Sequence, residues 1–232
     1  METEKIKIGN IPAILYGTKS EKLFIFVHGR HSKKEEAESF ANLVNNNGYQ
    51  VFSFDLPQHG ERINEKYDCT IQNAIHDLIK VYTFVQQEYK YISLYACSLG
   101  VYFSLSAYQN IQLEKCLFVS PVLDMEKLIK NIMKWSNVSE RELKNESKIE
   151  TSIGETLSWD YYEFVKKNPI KKWNKETFIL YGENDNITEK DVIDNFVKMN
   201  KCNLDIMKKG EHYFHTVEQI NYLQNWIKKI IE

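Results

Sequence analysis

The sequence has no long hydrophobic run, no large excess of charge of either sign and no leader-like start. No stretch of about 18 apolar residues occurs in the chain, so no membrane-spanning helix is expected. Residues 1–5 are polar and lack the apolar centre of a signal peptide. The formal net charge of −2 leaves no global basic field for nucleic acid. These features predict a cytoplasmic protein with neither a membrane span nor a nucleic-acid partner.

Cysteine is scarce and scattered. Cys69, Cys97, Cys116 and Cys202 form neither a CxxC pair nor a Cys/His pattern with metal-ligand spacing. Cys97 and Cys116 fall within apolar runs, where buried free cysteines are common. Reduced thiols are the simplest interpretation, although four cysteines are enough for two disulfides. We expect no metal and no cofactor.

Short apolar runs alternate with stretches of helical periodicity along most of the 232 residues, a length typical of one domain. This alternation predicts an α/β fold, with a mainly parallel open sheet flanked by helices on both faces. Residues 6–8 and 13–16 are expected to add an antiparallel hairpin at one edge. The six predicted buried strands are residues 23–27, 51–54, 91–96, 116–119, 177–181 and 204–207.

One segment interrupts the alternation. Between Pro121 and Lys175 no strand is predicted, whereas residues 125–135 and 154–167 have helical patterns. An insertion at this point of an open α/β sheet lies near the crevice where ligands bind. We therefore predict a helical lid over residues 124–172, within the single domain. Ordinary crossover helices without a substrate role are the alternative.

The pentapeptide ACSLG at 96–100 stands between a predicted strand and a predicted helix. A nucleophilic serine at such a sharp turn needs small residues two positions before and after it, because larger side chains would clash with the flanking backbone. Ala96 and Gly100 meet this need around Ser98, the candidate nucleophile. Ala96 stands where glycine is usual. A helix N-cap is the alternative role for a serine here.

Cys97 is a rival nucleophile, because cysteine is intrinsically more reactive than serine. A turn centred on Cys97 would place Tyr95 and Leu99 in the two small positions, and both side chains are too large. Ser98 is preferred for this reason.

An acid and a base are expected after later strands. Asp185 follows the fifth predicted strand and is preferred as the acid over Glu183 and over Asp191, which falls within a probable helix. The base is expected after the sixth strand. His212 and His215 compete for it, and His212 is favoured because it is nearer the strand end.

A serine nucleophile also needs hydrogen-bond donors fixed in advance for the oxyanion that it generates. The backbone N–H groups of Leu99 and of Arg30, in the loop after the first predicted strand of the parallel sheet, are the candidates. Gly29 would allow close approach of the backbone. His28 precedes the serine in the chain and is interpreted as a loop-shaping residue. The Arg30 side chain is expected either to pair with an acidic substrate group or to point to solvent.

On these motifs the chain resembles the α/β-hydrolase superfamily over nearly its whole length, and it looks most similar to small bacterial serine esterases and acyl hydrolases with a helical cap. The resemblance implies an acyl-enzyme mechanism with the chain order Ser98, Asp185, His212, without metal or cofactor. Arg30 departs from the glycine often found in this family's oxyanion loop. The motifs that carry the resemblance are HG at 28–29, DLPQHG at 55–60, ACSLG at 96–100, YGEND at 181–185 and EHYF at 211–214.

The predicted lid is rich in apolar and aromatic side chains. Trp135, Trp159 and Tyr162 are expected to contact the substrate, a small-molecule ester or thioester with a small or medium apolar acyl group. Packing of these side chains against the core is the alternative. A peptidase or C–C hydrolase with the same three residues, and a non-catalytic binding protein on this scaffold, are the alternative functions.

Overall fold

A computed structural model describes residues 1–170 and 172–232. Residue 171, at the end of the predicted lid range, lies outside the described residues. The strands are β1 Thr3–Ile8, β2 Ile11–Tyr16, β3 Lys22–Val27, β4 Tyr49–Phe54, β5 Tyr91–Cys97, β6 Cys116–Val119, β7 Lys148–Glu150, β8 Thr156–Ser158, β9 Thr177–Gly182 and β10 Asn203–Met207. The α-helices are α1 Ala37–Val44, α2 Ile71–Val85, α3 Leu99–Ala107, α4 Met125–Trp135, α5 Glu140–Glu146, α6 Trp159–Lys167, α7 Lys190–Asn200 and α8 Val217–Ile231.

One large sheet contains eight of these strands, in the order β1-β2-β4-β3-β5-β6-β9-β10. The pairs β1–β2 and β2–β4 are antiparallel, and the pairs from β4 onwards are parallel. The mainly parallel sheet and its antiparallel N-terminal hairpin confirm the predicted fold class. All six strands predicted for the parallel part are present.

Both faces of the sheet are covered, as the uninterrupted apolar strands require. Along β3, Leu23, Ile25 and Val27 join a core with α2, α3 and α7, while Phe24 and Phe26 join a core with α1 and α8. This division follows from the alternation of side chains along a strand.

The insertion, meaning the described residues between β6 and β9, differs from the prediction in three respects. No strand is predicted there, but β7 and β8 pair in a two-stranded antiparallel hairpin. Helix α6 begins at Trp159 rather than at about residue 154, because the residues before it are extended in β8. Helix α5 is not predicted, since only Leu143 is buried in it and no apolar stripe marks it. Helix α4 has the bounds that its apolar spacing predicts.

The described ranges contain no helix of the length and apolarity that a bilayer crossing requires. Nor do their His, Cys, Asp and Glu side chains form a group of three or more suited to a metal ion. The four cysteines are free thiols.

Candidate active site

The carboxyl ends of the parallel strands lie at one edge of the sheet, and the predicted site residues follow these ends. Arg30 lies in the loop after β3, Ser98 follows β5, Asp185 follows β9 and His212 follows β10. Because β3, β5, β6, β9 and β10 are neighbours in the sheet, residues far apart in the chain meet at this edge.

Ser98 stands on a strained turn between β5 and α3. Its φ of 48° and ψ of −119° are outside the regions that non-glycine residues normally occupy. The turn is tied down by the Ser98 N–H, which donates to the Val119 carbonyl at 3.1 Å. A Cβ on Gly100 would lie 2.5 Å from the His28 carbonyl oxygen and 2.7 Å from that of Val27, so only glycine fits at this position. The requirement for a small residue there is a consequence of helix α3 packing directly on the end of β3.

A chain of hydrogen bonds connects the three predicted residues. Ser98 Oγ lies 2.8 Å from His212 Nε2, and His212 Nδ1 lies 2.7 Å from Asp185 Oδ2. A carboxylate only accepts, so Nδ1 carries the imidazole hydrogen and Nε2 is free to accept from the serine hydroxyl. The arrangement gives a serine hydroxyl a base at the right atom, and the base an acidic partner that orients it.

Asp185 is held in place by backbone donors. Its other oxygen, Oδ1, accepts from the Ile187 N–H at 2.8 Å and from the Thr188 N–H at 2.9 Å, and its side chain is fully buried. The carboxylate therefore has a fixed orientation towards the imidazole.

Two glycines allow the loops that carry the acid and the histidine to touch. A Cβ on Gly182 would lie 2.6 Å from the carbonyl oxygens of Gly210 and Glu211. The Asn184 N–H donates to the Gly210 carbonyl at 2.7 Å, which locks the two loops together. This contact brings Asp185 within reach of His212.

The rival acids and the rival histidine have other partners. Glu183 Oε2 accepts from the Lys209 N–H at 3.0 Å, and Asp191 pairs with Lys127 on the surface. His215 is exposed, with its Nδ1 2.8 Å from the Tyr213 carbonyl oxygen. None of these contacts involves Ser98.

Cys97 is next to Ser98 but in a different chemical state. Burial raises the pKa of its thiol to about 12, and the negative charge of Glu36 acts in the same direction. At neutral pH the group is therefore a thiol, and the thiolate is the nucleophilic form. The imidazole of His212 is hydrogen-bonded to the Oγ of Ser98.

The loop after β3 lies directly against the nucleophile. A Cβ on Gly29 would be 3.3 Å from Ser98 Cβ. Among the described residues, no protein acceptor is found for the backbone N–H of Arg30 or for that of Leu99, which is the first residue of α3. Both predicted oxyanion donors are thus adjacent in the chain to residues of this contact, Gly29 and Ser98, and their hydrogens are available.

His28 fixes this loop from below. Its Nδ1 donates to the Gly29 carbonyl at 2.7 Å, and its Nε2 accepts from the Leu56 N–H at 3.1 Å. Burial lowers the pKa of His28 to about 4, so the ring is neutral at pH 7. The loop-shaping interpretation of His28 agrees with these contacts.

The turn at 55–60 has a structural role as well. Asp55 is buried and accepts from the backbone N–H and the Nζ of Lys34, at 2.9 and 2.8 Å. His59 is buried, with Nδ1 2.8 Å from the Pro57 carbonyl oxygen.

A cleft of about 2130 Å³ opens over Ser98 and His212. On the side of the insertion, one face of α4 supplies an apolar wall, whereas the β7–β8 hairpin and the start of α6 also contribute the polar side chains of Lys148, Glu155, Thr156, Ser158 and Asp160. The apolar side chains of the insertion that line the cleft are Val122, Met125, Leu128, Ile129, Ile132, Trp135, Ile153, Leu157 and Tyr161, and Phe103 and Ile187 line it from outside the insertion.

The predicted substrate contacts need correction. Trp135 borders the cleft and is 47% exposed, but Trp159 and Tyr162 are not part of its wall. Tyr162 is buried inside the insertion with its hydroxyl 3.2 Å from Glu140 Oε2, and Trp159 packs on Tyr162 edge to face. Tyr161, one residue earlier on α6, faces the cleft instead. Consecutive helical residues point about 100° apart, so Tyr161 and Tyr162 lie on different faces of α6. The sequence predicts the helix but not which of its faces borders the cleft.

Besides an acidic partner within the protein, which neither expectation includes, the Arg30 side chain keeps 42% of its surface exposed. Its Nη2 lies 2.8 Å from Glu155 Oε2, in the turn between β7 and β8. The guanidinium is therefore paired within the protein, with a residue of the insertion.

Comparison with known proteins gives a family and a fold. A family model described as serine aminopeptidase S33 matches residues 18–169, which is more than half of the chain. No curated protein matches the sequence.

Three similar solved structures illustrate the fold. Est1E from Butyrivibrio proteoclasticus, solved with ferulic acid bound, is 19% identical, with 98% of this chain and 97% of that chain covered and a TM-score of 0.76. The Pyrococcus furiosus esterase Pf2001 is 20% identical, with coverage of 99% and 90% and a TM-score of 0.68. Mouse alpha/beta hydrolase domain-containing protein 10 is 14% identical, with coverage of 100% and 98% and a TM-score of 0.78. At these identities the likeness establishes the fold alone.

Proposed function

The chain belongs to the serine aminopeptidase S33 family of α/β hydrolases, and from that premise we propose that it is a serine esterase with Ser98 as its nucleophile. The observation that carries the proposal is the hydrogen-bonded chain from Ser98 through His212 to Asp185, at 2.8 and 2.7 Å. At the same edge of the sheet lie two backbone N–H groups without a protein acceptor among the described residues, and a cleft with an apolar wall along α4.

In the proposed first step, His212 Nε2 takes the hydroxyl proton of Ser98 while Oγ attacks the ester carbonyl. Asp185 keeps the hydrogen of His212 on Nδ1 and stabilises the imidazolium that forms. The N–H groups of Leu99 and Arg30 donate to the developing oxyanion, and His212 then gives the proton to the leaving alcohol.

In the second step, water hydrolyses the acyl group on Ser98. His212 Nε2 takes a proton from this water and returns it to Ser98 Oγ as the acyl-enzyme breaks down. The side chains of the chain itself carry each proton, so the proposal needs no cofactor.

The substrate class follows from the wall of the cleft. Its apolar side chains on α4, β8 and α6 favour an uncharged acyl group of small or medium size. Est1E, similar in fold, is solved with an aromatic acid bound, which makes aryl esters a sensible part of the test panel. The insertion that supplies this wall is proposed to act as the lid.

A peptidase is the second candidate, because the matched family is described as a serine aminopeptidase. The same three residues would cleave an amide. An amide leaving group is an amine, which His212 must protonate as it departs.

The experiment compares wild type with Ser98→Ala on p-nitrophenyl acetate, butyrate and octanoate, methyl ferulate and an aminoacyl p-nitroanilide. We expect ester hydrolysis that Ser98→Ala abolishes, and labelling of wild type but not of Ser98→Ala by a fluorophosphonate probe. Hydrolysis of the anilide in preference to the esters would select the peptidase.

His215 provides the control for the base. His212→Ala is expected to abolish hydrolysis and labelling, whereas His215→Ala, an exposed neighbour three residues on, should leave both close to wild type. Equal activity of wild type and Ser98→Ala, or greater loss in His215→Ala than in His212→Ala, would contradict the assignment.

A further inference from the structure

Arg30 belongs to two parts of the site at once. Its backbone N–H is the proposed second oxyanion donor, and its guanidinium forms an ion pair with Glu155 at 2.8 Å. Both residues line the cleft over Ser98. The pair spans 125 positions of sequence and joins the loop after β3 to the turn between β7 and β8.

The turn that presents Glu155 is itself well braced. Thr151 Oγ1 donates to the Glu155 carbonyl at 2.7 Å and accepts from the Glu155 N–H at 3.1 Å, and the Thr151 N–H donates to the same carbonyl at 2.8 Å. Three hydrogen bonds therefore fix the backbone of Glu155 within the hairpin, and its side chain extends from this fixed point to the guanidinium.

The loop that carries Arg30 is also anchored on its other side, by His28. After His28 and Gly29, the Arg30 side chain is the next attachment of this loop. Among residues 1–170 and 172–232, the guanidinium has two polar partners, which are Glu155 and, at 3.2 Å from Nε, the ring of His31.

A second ion pair connects the insertion to the body of the protein without touching this loop. Lys127 on α4 lies 3.0 Å from both carboxylate oxygens of Asp191 on α7. Neither residue lines the cleft. This pair serves as a control, since it also joins the insertion to the body of the protein but does not line the cleft, although Asp191 is more exposed than Glu155.

We propose that Glu155 is a positioning residue that acts through Arg30: the ion pair fastens the β7–β8 hairpin to the oxyanion loop and keeps the Arg30 N–H aimed at the oxyanion. The proposal deepens the proposed esterase function and rests on it. It assigns a role to the arginine that replaces the more usual glycine, and it makes the hairpin part of the machinery that aligns the reaction.

The size of the effect is bounded by the exposure of the pair. Arg30 and Glu155 side chains are 42% and 25% exposed, and a solvent-exposed ion pair limits the effect on kcat to about fivefold. Complete loss of an oxyanion donor would cost about a hundredfold or more. A modest fall in kcat, specific to this ion pair, is therefore what a displaced Arg30 N–H should produce.

The test measures kcat and KM for p-nitrophenyl butyrate in Glu155→Gln, Arg30→Gln, the double variant and the charge-exchanged variant Arg30→Glu/Glu155→Arg. We expect about a fivefold fall in kcat for each single variant, with KM little changed. The double variant should lose no more than either single variant, and charge exchange should recover part of the loss. Asp191→Asn should match wild type in both constants.

The proposal is overturned by an unchanged kcat in Glu155→Gln, by losses that multiply in the double variant, or by an equal loss in Asp191→Asn. A rise in KM alone would show that the pair is only a wall of the cleft. The rate of fluorophosphonate labelling distinguishes failure of this positioning role from failure of the proposed function. Wild type that resists the probe refutes the serine hydrolase, whereas equal labelling rates in wild type and Glu155→Gln refute only the positioning role.

Discussion

His28, buried beneath the loop that carries Arg30, should make the stability of this protein depend on pH. Both ring nitrogens of His28 are occupied: Nδ1 donates to the Gly29 carbonyl and Nε2 accepts from the Leu56 N–H. Protonation of Nε2 would remove that acceptor and place a charge in a fully buried position. The folded state therefore resists protonation of His28, and the unfolded chain does not.

The magnitude follows from the two pKa values. Burial lowers the pKa of His28 from its ordinary 6.5 to about 4 in the folded protein. Between these values the unfolded chain binds more protons than the folded one, so the free energy of unfolding falls as the pH falls through this window. The loss between pH 7 and pH 5 is about 2 kcal/mol, and it approaches about 3 kcal/mol below pH 4.

Urea unfolding followed by tryptophan fluorescence at pH 7 and pH 5 measures this loss. The difference between wild type and His28→Asn isolates His28, because the other titrating groups are common to both proteins. Asparagine keeps one donor and one acceptor but does not titrate. We expect wild type to lose about 2 kcal/mol more than His28→Asn between the two pH values.

Two features sharpen the comparison. His59, whose ring centroid is 5.2 Å from that of His28, also has its pKa lowered by burial, so it contributes with the same sign to both proteins. His76→Asn, on the exposed face of α2, is the control and should keep the wild-type dependence. Equal losses in wild type and His28→Asn would refute the reasoning.

Three further predictions concern the geometry of the site and its supports. Asp185→Asn should lower kcat for p-nitrophenyl butyrate by about 10³- to 10⁴-fold, because the amide no longer holds the Nδ1–H tautomer of His212; a loss below tenfold would contradict the assigned acid. Gly100→Ala, whose Cβ would lie 2.5 Å from the His28 carbonyl oxygen, should destabilise the fold by about 1–3 kcal/mol in urea unfolding and slow labelling of Ser98; unaltered stability and labelling would count against close packing at the turn that carries Ser98. Gly60→Ala, whose Cβ would lie 2.2 Å from Asp55 Oδ1, should disrupt the buried Lys34–Asp55 pair and cost about 3 kcal/mol. Gly9 has a similar positive φ, but a Cβ there would meet no atom within 4 Å, so Gly9→Ala should cost only about 1 kcal/mol for the backbone. Equal losses of stability in Gly60→Ala and Gly9→Ala would show that the Asp55 carboxylate moves aside without cost.

The parallel sheet could be predicted from the sequence because its strands are buried on both faces. A run such as LFIFV at 23–27 has no polar alternation, and the helical stripes between such runs leave few other folds. The order of Ser98, Asp185 and His212 then places all three after strand ends. What the structure adds is the distance between them, and their catalytic roles stay a prediction until the variants are measured.

The insertion could not be predicted to the same depth. The hairpin strands β7 and β8 contain three residues each, which is too few for an alternation of apolar and polar side chains to be recognised in the sequence. Helix α5 has one buried side chain, so it lacks an apolar stripe, yet its capping box of Ser139 and Glu142 is a signal that the sequence does contain. The pair between Arg30 and Glu155 has no local signal at all, because it depends on how the insertion docks.

The contrast between these two regions bears on the proposed substrate specificity of the protein. The reactive residues are held by backbone contacts of glycines at 100, 182 and 210, which leave no room for variation in the distances that the chemistry needs. One wall of the cleft comes from the insertion, whose helices and hairpin lie outside the main sheet. Structural neighbours that share 14–20% of residues over nearly the whole chain can therefore have the same fold while the substrate is chosen elsewhere. On this reasoning, substitutions on the cleft face of α4, such as Ile129 or Ile132 to smaller residues, should change which acyl groups are hydrolysed, whereas substitutions at the three glycines should affect all substrates alike.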